Sequence, residues 1–150
     1  MKIGKIIFLL IVCISLVGCK NKEIEQFRLE DKYYNVSYLS EISIDDFNKL
    51  LDDEENFGLF IYQDFCAASD SFEKVLNEYI KEYPMGFYKL SYNDMKETEL
   101  KGDIKFYPSF VIYKNGKLID FLDADSASDA DYYKSVSGFN DWFTKYVIMS

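Results

Sequence analysis

The sequence predicts an α/β fold, and three local patterns carry that prediction. Gly58-Leu59-Phe60-Ile61-Tyr62 is a short continuous apolar run, as expected of a strand buried on both faces. Phe72, Val75, Leu76, Tyr79, Ile80 and Tyr83 recur at i, i+3, i+4, i+7, i+8 and i+11, the spacing of one helix face, and Pro84 ends the pattern. Asn115-Gly116 is a two-residue hairpin signal between the apolar runs Ser109–Tyr113 and Leu118–Phe121.

The remaining elements follow in order. Tyr34 to Leu39 alternates as an edge strand would, and Ser43-Ile44-Asp45-Asp46 matches a capping box ahead of Phe47, Leu50 and Leu51 at helical spacing. After the buried strand and the long helix, Phe87-Tyr88-Lys89-Leu90 reads as a third strand and Glu97 to Lys101 as a short helix. Pro108 precedes the hairpin, and an acidic Ser/Ala-rich loop from Asp123 to Asp131 leads to a last helix holding Phe139, Trp142, Phe143 and Tyr146. The predicted order is β-α-β-α-β-α-β-β-α without internal repeats. Residues 33–150 form the domain.

The N-terminus reads as an address. Lys2 and Lys5 precede an apolar core over residues 6–17, which is followed by Gly18-Cys19. Twelve helical residues span only about 18 Å, short of a hydrocarbon core of about 30 Å. Leu16-Val17-Gly18-Cys19 resembles the bacterial lipoprotein lipobox. That resemblance implies cleavage before Cys19, which removes a signal peptide at 1–18, and diacylglycerol on the Cys19 sulfur. The protein would then be held on the extracytoplasmic side of a bacterial cell membrane. Residues 19–32 are mostly charged or amide-bearing and read as a tether.

Composition excludes several kinds of chemistry. There is no histidine, so Cys-His or Ser-His-Asp nucleophiles and His-ligated metals are absent from the repertoire. The 7 glycines are too widely spaced for a phosphate-cradling loop. A formal charge of −9 disfavours nucleic acid as a partner. Asp123, Asp125, Asp129 and Asp131 mimic a calcium loop, but Ala127, Ser128 and Lys134 occupy the third-ligand, glycine and glutamate places, so no metal and no cofactor are expected. Of the 3 cysteines, Cys13 lies in the signal and Cys19 takes the lipid, which leaves Cys66 as a lone thiol outside the cytoplasm.

Cys66 opens the long helix, and Phe60-Ile61-Tyr62-Gln63-Asp64-Phe65-Cys66-Ala67-Ala68-Ser69 resembles the apolar strand and Trp-Cys-x-x-Cys motif of the thioredoxin family. Phe106-Tyr107-Pro108-Ser109-Phe110-Val111-Ile112-Tyr113-Lys114-Asn115-Gly116-Lys117 is similar to that family's cis-proline, strand and Lys-Asn-Gly hairpin. The resemblance runs from about Tyr34 to Val147 and implies a central mixed sheet of four to five strands with helices on both faces. It also implies a cis Tyr107-Pro108 bond facing Cys66, with client polypeptide bound along Phe65, Phe106, Tyr107 and Pro108, and Tyr62 at the rim.

Two departures redirect the chemistry. Ser69 replaces the second cysteine, so no internal thiol resolves a mixed disulfide, and Phe60 stands where family members often carry a buried Asp. Dithiol reductase activity is therefore excluded. What remains is Cys66 as a monothiol at a helix N-terminus, favoured as thiolate by the helix dipole and Ser69 and opposed by Asp64 and Asp70. The expected function is slow monothiol exchange with secreted or surface clients. The alternative is a redox-inert binding or accessory protein, for example in export of secreted peptides such as bacteriocins.

Overall fold

The computed structural model describes residues 24–149; residues 1–18, expected to be a signal peptide, and Cys19 lie outside the described residues. The strands are β1 (Tyr38–Glu41), β2 (Phe57–Tyr62), β3 (Gly86–Ser91), β4 (Ser109–Lys114) and β5 (Lys117–Phe121). The helices are α1 (Ile44–Asp52), α2 (Ala67–Glu82), the single turn α3 (Tyr92–Met95) and α4 (Val136–Phe143). They build one mixed sheet in the order β1-β3-β2-β4-β5, with β1, β3 and β2 parallel and β4 and β5 antiparallel to their neighbours. The class and sheet are those the sequence predicts.

Side-chain alternation explains why helices cover both faces. Phe57 and Phe60 differ by three positions on β2 and so point to opposite sides of the sheet. Phe57 stacks on Tyr113 at 4.7 Å and meets Phe47 of α1. Phe60 instead packs edge-on against Phe72 of α2, which in turn meets Phe139 of α4 at 5.9 Å. All six residues of β2 are buried, as a central strand between two helical layers requires.

Local signals set the element ends. The Ser43 hydroxyl accepts from the Asp46 N–H, and the Asp46 carboxylate accepts from the Ser43 N–H, closing the capping box of α1. Asn115 and Gly116 both take positive φ, 51° and 67°, as a tight hairpin of this hand demands.

Four expectations change. The first strand runs over Tyr38–Glu41 rather than 34–39, because Asn35 at φ 59° turns the chain and the Tyr34 hydroxyl donates to the Ile148 carbonyl. The segment 97–101 is a 3₁₀ turn at Glu99–Gly102, where the Thr98 side chain accepts from the Leu100 N–H. Tyr146 lies beyond the end of α4. The segment 19–32, expected to be a tether, enters the fold by Phe27. Phe27 and Leu29 are 7% and 2% exposed, the Phe27 N–H donates to Tyr146 and its carbonyl accepts from Ile148. Phe27 thus pairs with the C-terminal chain, the Leu29 N–H donates to the Tyr34 hydroxyl, and the folded unit begins by Phe27.

Candidate active site around Cys66

The chain leaves the C-terminal end of β2 through Gln63, Asp64 and Phe65. Phe65 takes a left-handed conformation at φ 57° and leaves its ring fully exposed. Cys66 then caps α2 in extended geometry, its carbonyl accepting the first helical bond from the Asp70 N–H at 3.0 Å. Ser69 is buried under this turn, and its hydroxyl accepts from the Gln63 N–H at 3.1 Å. That bond clips the loop to the first turn of the helix.

The Cys66 thiol is half-buried and unpaired among the described residues. Its pKa lies below the ordinary thiol value. The backbone N–H of Ser69 is the largest cause; burial opposes it, the Ser69 hydroxyl and the Ala68 N–H add to it, and the Asp70 carboxylate works against it. Of the two acids expected to oppose ionisation, Asp70 is one of the principal groups acting on the thiol.

The second wall comes from the start of β4. The Tyr107-Pro108 bond is cis, Pro108 is buried, and its carbonyl accepts from the Tyr133 hydroxyl at 2.9 Å. Tyr107 stays partly exposed and packs on the Tyr92 ring at 4.7 Å between centroids. Together Gln63, Asp64, Phe65, Cys66, Tyr92, Asn93, Lys96 and Tyr107 line one open depression.

The structure therefore gathers Cys66, Phe65 and Tyr107 at one surface, with Ser69 and Pro108 beneath. Phe106 is exposed but does not line the depression. Tyr62 is not at the rim, because it is buried and its hydroxyl donates to the Glu41 carboxylate at 2.6 Å. Phe60 is wholly buried among rings, so an apolar side chain fills the place where the family often has a carboxylate.

Sequence reasoning missed Tyr92, Asn93 and Lys96. Their one signal was Ser91 three residues before Asp94, whose N–H donates to the Ser91 hydroxyl and starts α3. The acidic loop satisfies itself: the Asp123 N–H donates to Asp129, the Asp125 N–H to Asp123, and Asp131 pairs with Lys134.

No family model matches the chain, and no curated protein matches its sequence. Solved structures do. The reduced thioredoxin pre-protein of Schistosoma mansoni superposes with a TM-score of 0.56 at 20% identity, over 73% of this chain and 99% of that one. The oxidised thioredoxin of Plasmodium falciparum gives 0.55 at 20% identity, over 72% and 97%. The thioredoxin of Trypanosoma brucei brucei gives 0.53 at 15% identity, over 79% and 99%. What is shared at such low identity is the backbone architecture, and by that measure this chain has the thioredoxin fold.

Proposed function

We propose that the protein is a lipid-anchored extracytoplasmic thioredoxin-fold protein that engages secreted or surface polypeptides by monothiol exchange at Cys66. The observation that carries this reading is the half-exposed Cys66 thiol, whose pKa the Ser69 N–H lowers, in one depression with Tyr107. A lowered pKa raises the thiolate fraction at neutral pH, and the thiolate is the nucleophile.

The exchange runs in two balanced steps. The Cys66 thiolate attacks one sulfur of a client disulfide; a Cys66–client disulfide forms and the other client sulfur leaves as thiolate. Release then needs a thiolate from the client or a small external thiol, which attacks the client sulfur and returns Cys66 as thiolate. Ser69 lowers the pKa of the thiol but carries no sulfur of its own, so the mixed disulfide persists until that thiol arrives. Phe65 and Tyr107 offer apolar surface to the client beside the sulfur.

The test is reaction of the folded protein with glutathione disulfide, read by intact mass. The expected result is one adduct on Cys66, absent in Cys66→Ser and released by added thiol. Adduct formation only after unfolding would overturn exchange and leave the noncovalent reading, which the Tyr92–Tyr107 ring pair beside Lys96 favours. Membrane release of Cys19→Ser tests the anchor separately.

A further inference from the structure

Six large apolar side chains are well exposed among the described residues, and they fall into two groups. Phe65, Phe106 and Tyr107 belong to the Cys66 end. Ile24, Ile119 and Ile148 do not, at 51%, 42% and 37% exposure. Ile24 and Ile119 line one depression over β5 with Phe27 and Lys114, and the Ile148 N–H donates to the Phe27 carbonyl at 2.8 Å. β5 is also a sheet edge.

We infer that the face along β5 that carries Ile24 and Ile119 rests on the membrane bilayer. The inference depends on the proposed lipid on Cys19 and extends it from a point of attachment to a contact surface. Chain length supports it. Five residue-to-residue steps separate Cys19 from Ile24 and span at most about 18 Å, so the bilayer lies permanently close to this face. Side-chain chemistry supports it too. Exposed aliphatic groups partition into the boundary between headgroups and acyl chains, and nearby lysines attract headgroup phosphates. On the described face Lys114 and Lys117 offer that charge beside Glu25, Asp120 and, at the hairpin, Glu54, and the Asp120 carboxylate accepts from the Tyr146 hydroxyl. The chain as a whole is acidic, with 26 acidic against 17 basic residues, so apolar contact rather than charge carries the attachment.

This placement has a consequence for the thiol. The Asn115-Gly116 hairpin sits at one end of β4 and Pro108 at the other, beside the end of β2 that leads to Cys66. Six residues at about 3.3 Å each put roughly 20 Å between those ends. A bilayer held at the hairpin end of β5, opposite the end where Phe121 pairs with Val111, leaves the Cys66 depression in water and open to soluble or exported polypeptides.

The experiment uses the full lipidated chain in Cys66→Ser background, reconstituted into phosphatidylcholine–phosphatidylglycerol vesicles. A single environment-sensitive fluorophore is placed through Ile119→Cys, or through Lys117→Cys as a second position on this face, and through Asn93→Cys at the distant depression. Doxyl-labelled lipid is expected to quench the 119 and 117 labels several-fold more than the 93 label. Equal quenching at all three in protein that floats with the vesicles overturns the contact surface and leaves the anchor intact. Protein that fails to float overturns the anchor itself and the surface with it.

Discussion

Replacing Ser69 by alanine removes one hydroxyl with two separate jobs. The hydroxyl accepts from the Gln63 N–H at 3.1 Å, and it helps to lower the Cys66 pKa. The two backbone N–H groups at Ser69 and Ala68 survive the substitution. A hydrogen bond to the thiolate contributes about 1 kcal/mol, less at a half-exposed sulfur where water competes. Losing it should cut the alkylation rate at neutral pH about two- to fivefold. The orphaned Gln63 N–H should independently cost about 1 kcal/mol of stability. The assay is the iodoacetamide rate on folded protein from about pH 6 to pH 10, bracketing the ordinary thiol value. The midpoint should move up in Ser69→Ala and down in Asp70→Asn, which removes an opposing charge. The sign carries over to stability. A thiol whose folded pKa is depressed adds stability above its unfolded pKa of about 8.5, and that gain is lost as pH falls through the folded value. Urea unfolding of wild type minus Cys66→Ser should therefore rise with pH in that window, and rise less in the Ser69→Ala background. An unchanged alkylation midpoint in a Ser69→Ala protein that has lost stability would refute the hydroxyl's action on the sulfur.

Ser69→Cys should restore a Cys-x-x-Cys pair, form an intramolecular disulfide and raise insulin reduction above a near-zero wild type; equal turnover in the two proteins would contradict the missing-resolver argument. Tyr113 is wholly buried with a hydroxyl that has no hydrogen-bond partner among the described residues, so Tyr113→Phe should leave the urea midpoint unchanged or raise stability by up to about 1 kcal/mol. A clear loss would mean that the hydroxyl has a partner. Phe27→Ala should cost about 3 kcal/mol, and a wild-type melting curve would return residues 27–32 to the tether. Gly116→Ala should destabilise by about 1 kcal/mol or more, since φ is 67° and a Cβ would lie 2.5 Å from the Leu51 carbonyl oxygen; tolerance would show that the hairpin shifts freely.

Features built within a few residues were legible beforehand. The capping box at Ser43 and Asp46, the helix face from Phe72 to Ile80 and the turn at Asn115-Gly116 all depend on neighbours along the chain. Features that depend on distant partners were not. Phe27 looks like a stray apolar residue until Tyr146 and Ile148 bond its backbone, and Tyr34 alternates like a strand while serving a turn. Tyr62 looked like a rim residue because its partner, Glu41, lies 21 positions away.

That Cys66 is the one thiol between residues 33 and 150, with Ser69 three positions on, was decided by residue inventory, because a serine oxygen cannot form a disulfide in any conformation. Whether that thiol is open and ionisable was not. Folding alone seats Cys66 half-buried at the start of α2 and sets the Ser69 and Ala68 N–H groups against the burial and the Asp70 charge that oppose them. Tertiary structure alone also carries Tyr92, Asn93 and Lys96 beside it. Ionisation depends on dipoles and charges through space over a few ångströms, and those separations exist only once the chain is folded.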